Sequence, residues 1–135
     1  MKRMTREWIR KAEDDFRAAG VLAKGSAPFP DQVCFHSQQS AEKYLKALLE
    51  ELGPAVPRTH DLEDLLDLLL PHRASLSRYR RGLRFLTGFA VDPRYPLLRT
   101  VKRQAASALR WAGQVRDACR ALLGLPTPPR RRKTP

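Results

Sequence analysis

A chain of 135 residues, 42% hydrophobic and 30% charged, fits one soluble domain with a single core. It has no run near the roughly 18 apolar residues that span a bilayer, no apolar segment behind its charged N-terminus, and no zinc-ligand spacing of cysteine or histidine. The reading is therefore a cytoplasmic protein without a membrane span, metal or cofactor, whose net charge of +12 attracts anions such as nucleic acid, nucleotides or acidic proteins.

The first predicted helix covers residues 5–24. Thr5 is a suitable N-cap, and Ile9, Ala12, Phe16, Ala19 and Ala23 recur at helical spacing as its apolar stripe. The segment G-S-A-P-F-P at 25–30 is a turn by composition. A second helix follows over 31–52 and is stopped by Gly53 and Pro54. A third starts at Thr59 or Asp61, ends before Pro71, and buries Leu62, Leu65, Leu66 and Leu69. A fourth covers 75–90, with Leu76, Tyr79, Leu83, Leu86 and Ala90 on one side. The segment V-D-P-R-Y-P cannot continue it, because each proline removes a donor and restricts its predecessor. The last helix covers 100–123, with Val101, Ala105, Ala108, Ala112, Val115, Cys119 and Leu122 as its stripe.

No segment alternates as a strand would, and nearly all of the eleven prolines fall between helices or in the tail. This agreement predicts an all-α fold, an antiparallel up-and-down bundle of four to five helices over residues 1–125. Residues 126–135 form a basic tail that lacks the apolar content to fold. Its R-R-R-K run either solubilises the end of the chain or contacts phosphates. Four of the twelve excess charges lie there, so most of the excess belongs to the bundle. Cys34 and Cys119 read as reduced core thiols.

Helix two carries the densest set of chemically capable residues. Cys34, Gln38, Ala41, Leu45, Leu48 and Leu52 line one side, and His36, Gln39, Lys43 and Lys46 form a stripe on the other. Two cations, an amide and an imidazole on one stripe suit a phosphate or a base. The same pattern also fits a solvated face on which Glu42 pairs with Lys46 at i, i+4.

The order A-E-D-D-F on helix one, C-F-H-S-Q-Q-S-A-E-K-Y-L-K-A-L-L on helix two, T-H-D-L before helix three and R-Y-P before helix five resembles the HEPN domain family. The resemblance covers about residues 4–124. It implies a small helical bundle that commonly dimerises, and a partnership with a minimal nucleotidyltransferase in toxin–antitoxin pairs. It also implies nucleotide binding in some members and metal-independent endoribonuclease activity in others. The ribonucleases carry an R-x4-6-H motif, and two copies of it meet across the dimer. None of His36, His60 and His72 has an arginine at that spacing: Arg58 lies only two residues before His60, and no histidine follows Arg94. The expectation is therefore a homodimer that binds a nucleotide or RNA and is not an enzyme. A diverged endoribonuclease and a pure protein-interaction module are the alternatives.

The expected ligand residues are Gln39, Lys43 and Lys46 on helix two, with Arg94 and Tyr95 on the proline-locked loop. Arginine can fork onto phosphate, and tyrosine can stack on a base. Asp15, His36 and His60 are the supporting residues. Asp15 sits at the edge of a core stripe, where a carboxylate needs a partner such as Lys43, Arg94 or Tyr95. Gln38 points inward and is expected to satisfy backbone groups.

Overall fold

The computed structural model describes residues 1–25, 29–91, 96 and 99–127. The described residues form five α-helices and no strand: α1 (Arg3–Ala23), α2 (Pro30–Leu52), α3 (Leu62–Leu69), α4 (Arg80–Thr87) and α5 (Lys102–Leu122). A 3₁₀ segment, Ala74–Tyr79, leads into α4. The chain is an all-α bundle, as its apolar period requires.

Helix α2 is the central element and packs against α1, α3, α4 and α5. Its burial therefore extends well beyond a single stripe. Val33, Cys34, Ala41, Tyr44, Leu45, Ala47, Leu48 and Leu49 are all essentially inaccessible. Pro30 sits in its first turn, where a missing N–H costs nothing, and Gly53 ends it at φ +107°, a left-handed conformation that favours glycine. Lys2 and Thr5 of the N-terminal turn of α1 meet Glu51 in the last turn of α2, while Asp15 meets His36. The two helices are thus antiparallel. Glu13 meets Arg116 across α1 and α5, and Thr100, just before α5, meets Asp31 in the first turn of α2. Helix α1 thus runs against both α2 and α5.

Three boundaries differ from the sequence expectation, and at a fourth, the start of α3, the structure selects one of the two expected residues. Thr5 is not the cap of α1, which starts at Arg3. Its buried hydroxyl donates to Oε1 of Glu51 at 3.0 Å, and the Lys2 amide donates to the same oxygen at 2.9 Å. Asp61, not Thr59, caps α3 by accepting from the Glu63 amide at 2.9 Å, while the Thr59 hydroxyl accepts from Asp61. The fourth predicted helix divides into the 3₁₀ segment and a short α4. The Thr87 hydroxyl donates back to the Leu83 carbonyl and accepts from the Leu62 amide, so it ties the end of α4 to the start of α3. Thr100 precedes α5 instead of joining it, and its amide and hydroxyl donate to Oδ1 of Asp31 at 2.8 and 2.6 Å.

The expected stripe of α1 is also only partly core. Ile9, Ala12 and Ala19 are buried, whereas Phe16 is half-buried and Ala23 exposed. Cys34 and Cys119 are free buried thiols; burial raises the first to about 11 and the second to about 12.

Candidate functional site

Asp15 is the organising residue of the expected site. It projects from α1 at 9% exposure and meets two residues of α2 seven positions apart, His36 and Lys43. Nδ1 of His36 lies 2.8 Å from Oδ1, and the Lys43 ammonium bonds Oδ2. Burial opposes ionisation of the Asp15 carboxyl, but the two hydrogen bonds outweigh it and hold the group below the usual aspartate value. Lys43 is one of the three partners that the sequence nominated for Asp15.

This cluster opens along one edge of α2. Gln32, Phe35, His36, Gln39 and Lys43 are all half-buried there, and Phe35 packs edge-on against His36 with ring centroids 5.5 Å apart. Gln39 donates to the carbonyl of the Gln38 side chain at 2.7 Å. The edge thus presents an aromatic ring, an imidazole, an amide and an ammonium. The Asp15 carboxylate fixes two of them in place.

Lys46 departs from the expectation. It does not share the open edge; its side chain is 8% exposed, donates to Oε2 of Glu42 at 3.1 Å, and lies over the Trp8 ring at 5.6 Å. A central helix has neighbours on nearly every side, so its nominally polar stripe is partly core. Glu42 is equally enclosed. It accepts from Lys46, from Nε2 of Gln38 at 3.0 Å, and lies 2.9 Å from Nδ1 of His60. Gln38 is fully buried and also reaches the His60 carbonyl at 3.4 Å, the backbone role expected of it. His60 therefore belongs to a second carboxylate cluster, separate from Asp15.

Arg94 and Tyr95 lie outside the described residues. Thr100, further along the chain, bonds Asp31 in the first turn of α2.

Sequence reasoning missed a third polar cluster. Glu13 on α1 receives the Arg116 guanidinium, with Nε at 2.6 Å and Nη2 at 3.2 Å. The Tyr44 hydroxyl also bonds Glu13, and Arg120 reaches both Glu13 and Tyr44 at 3.3 Å. Burial opposes the Glu13 charge and the Arg116 charge alike. Their hydrogen bond prevails, lowering the carboxyl and raising the guanidinium. The sequence signal available was a carboxylate beside Ala12 and an arginine beside Val115, each next to a core position. Their separation of 103 residues hid the pairing.

The described residues hold no group of three metal-ligating side chains. No described helix is long and apolar enough to cross a membrane.

A family model described as the HEPN domain matches residues 5–122. The crystal structure of TT1696 from Thermus thermophilus is 25% identical; the match covers 89% of this chain and 98% of that one, with a TM-score of 0.73. The crystal structure of ST0689, described as an archaeal HEPN homologue, is 26% identical; the match covers 91% and 99%, with a TM-score of 0.71. Curated proteins provide no match.

Proposed function

This chain belongs to the HEPN domain family, and we propose that within it the chain is a binding protein for a nucleotide or RNA, working as a homodimer with a minimal nucleotidyltransferase in a toxin–antitoxin-like pair. One observation carries the binding part of this reading. The buried Asp15 carboxylate holds Lys43 and His36 at a half-open edge beside Phe35 and Gln39. A fixed ammonium suits phosphate oxygens, an aromatic pair suits a base, and an amide suits its edge. The net charge of +12 favours such ligands at long range. Arg94 and Tyr95 are proposed as further ligand residues from their chemistry and the family resemblance. The partner and the dimer rest on the family alone.

Calorimetry against a panel of nucleotides and short single-stranded RNAs tests the site. Saturable binding that Lys43→Ala weakens about tenfold, the loss of one charged contact, is the expected result. Binding that Lys43→Ala and Gln39→Ala leave untouched, or no heat with any panel member, overturns the reading. A stable complex on co-expression with a neighbouring small nucleotidyltransferase tests the partnership, and failure to associate removes it.

One further observation favours the alternative, a metal-independent endoribonuclease with a diverged site. The His60 ring is 68% exposed while its Nδ1 is oriented by Glu42, which leaves its other nitrogen without a hydrogen bond among the described residues. Magnesium-free RNA cleavage abolished by His60→Ala supports it; intact RNA after incubation with pure protein rejects it.

A further inference from the structure

We propose that the groove between α1 and α5 is a docking site for an amphipathic helix with acidic flanks, supplied by a partner protein. This surface lies away from the Asp15 edge, and the inference does not rest on the nucleotide reading.

The groove has a volume of about 500 Å³ and is lined by Phe16, Gly20 and Ala23 on α1 and by Ala106, Leu109 and Gly113 on α5, with Arg110 and Arg116 of α5 completing its wall. A smaller hollow of about 90 Å³ shares Ala23 and Ala106 and extends the apolar surface toward Leu22, Phe29 and Val33. On both helices the lining residues are spaced by alternating threes and fours, the seam pattern that seats another helix. The two walls thus offer a third place in a helix packing that the described residues leave empty.

Gly20 adds an independent indication. A glycine inside a helix is unfavourable, and one is expected where a neighbour needs the room. A Cβ at Gly20 would meet nothing within 4 Å, so the fold itself makes no use of that room. A bare backbone on the groove floor lets an incoming helix approach closely.

The charge on the rims selects the occupant. Arg17 on α1 and Lys24 just past its end stand seven residues apart, and Arg103 and Arg110 stand seven apart along α5. All four are exposed, and none has an ion-pair partner among the described residues. Asp117 continues the α5 row but pairs with Arg116 at 3.6 Å. Flanking rows of this kind set partner choice in helix packing, and these call for acidic rows opposite. A second copy of this chain would set basic rows against basic rows. RNA would need stacking faces, whereas the floor is aliphatic and the Phe16 ring is covered by the Arg116 guanidinium at 4.9 Å.

The test uses the full chain and a fluorescein-labelled synthetic helix of about 21 residues, the length of α5, with Leu and Ile at seam positions and Glu on both flanks. Anisotropy is expected to show the Glu helix binding about tenfold or more tighter than the same helix with Lys flanks, with the difference shrinking as salt is raised. Gly20→Leu, which fills the floor, is expected to abolish binding with an unchanged circular dichroism spectrum. The double change Arg17→Glu with Arg110→Glu is expected to reverse the preference. Equal binding of the two helices, or full affinity in Gly20→Leu, overturns the proposal. So does a dimer in sedimentation, or polyuridylate binding, that Gly20→Leu specifically removes; these would assign the groove to a second copy or to RNA.

Discussion

Nδ1 of His60 lies 2.9 Å from Oε1 of Glu42, so an imidazole that is 68% exposed is tied to a carboxylate that is 5% exposed. The link joins the loop before α3 to the middle of α2. It also makes Glu42 the meeting point of three donors from two parts of the chain.

Removing one of those donors is expected to cost more than removing the cluster. Lys46→Met leaves Glu42 charged, enclosed and short of a partner, a loss of about 3–5 kcal/mol for a broken buried pair. The double change Glu42→Leu with Lys46→Met replaces both charges by apolar volume and is expected to recover much of that loss. Urea unfolding of the three proteins checks the order. A Lys46→Met protein with the wild-type midpoint would show that the ammonium contributes nothing.

Acid is expected to weaken the α1–α2 contact through Asp15. Its folded carboxyl titrates below the unfolded value, because the bonds from His36 and Lys43 outweigh burial. A depressed acid stabilises the fold above the unfolded value, near pH 4, and this contribution is lost as pH falls through the folded value. Glu63 behaves likewise: Arg84 and then Arg80 pull it down to about 2, though on an exposed surface where the gain is small. Asp15→Asn is therefore expected to lower stability at neutral pH and to flatten its decline below about pH 4. An unchanged acid limb in thermal melts across that range would remove Asp15 from the account.

The helices were legible because breaker and period agree. Pro30, Gly53, Pro71 and Pro96 all fall outside the apolar repeats that they bound. Gln38 was legible for the same reason, since it shares the direction of Cys34 and Leu45. Lys46 was not, because period reports one buried face, and a helix contacted by four others has no fully free one. The pairing of Asp15 with Lys43 could be named as a candidate from stripe geometry, whereas His36 as its second partner could not. Thr5 shows the limit of local signals: a good cap residue is drawn inward by Glu51, 46 positions away. Arg94 and Tyr95 lie outside the described residues.

The Glu13 cluster is expected to fasten α5 to the rest of the bundle. Glu13→Ala takes the nearest carboxylate from Arg116, whose side chain is 10% exposed, leaves it only Asp117 at 3.6 Å among the described residues, takes the same partner from Arg120, and removes the acceptor of the Tyr44 hydroxyl. A loss of about 2–3 kcal/mol is expected, the range for hydrogen bonds to charged groups. Hydrogen exchange gives the sharper reading: amides of α5 near Arg116 are expected to lose more protection than those of α3. Uniform loss across all helices would mean that the cluster serves global stability alone.

Two glycines in helix interiors are expected to answer alanine in opposite directions. A Cβ on Gly82 would overlap Cε3, Cδ2 and Cζ3 of the Trp111 ring, so α4 and α5 approach as they do only because Gly82 has no side chain. Gly82→Ala is expected to cost about 1–3 kcal/mol through overpacking, and a compensating Trp111→Leu is expected to return part of it. At Gly20 the same methyl meets open space, so Gly20→Ala gains helix propensity without a clash, up to about 1 kcal/mol. Midpoints in urea for the two single variants decide the matter. A Gly82→Ala midpoint that does not fall would show that the α4–α5 approach does not depend on Gly82, and a Gly20→Ala midpoint that falls would show that the room at Gly20 is not open in the folded protein.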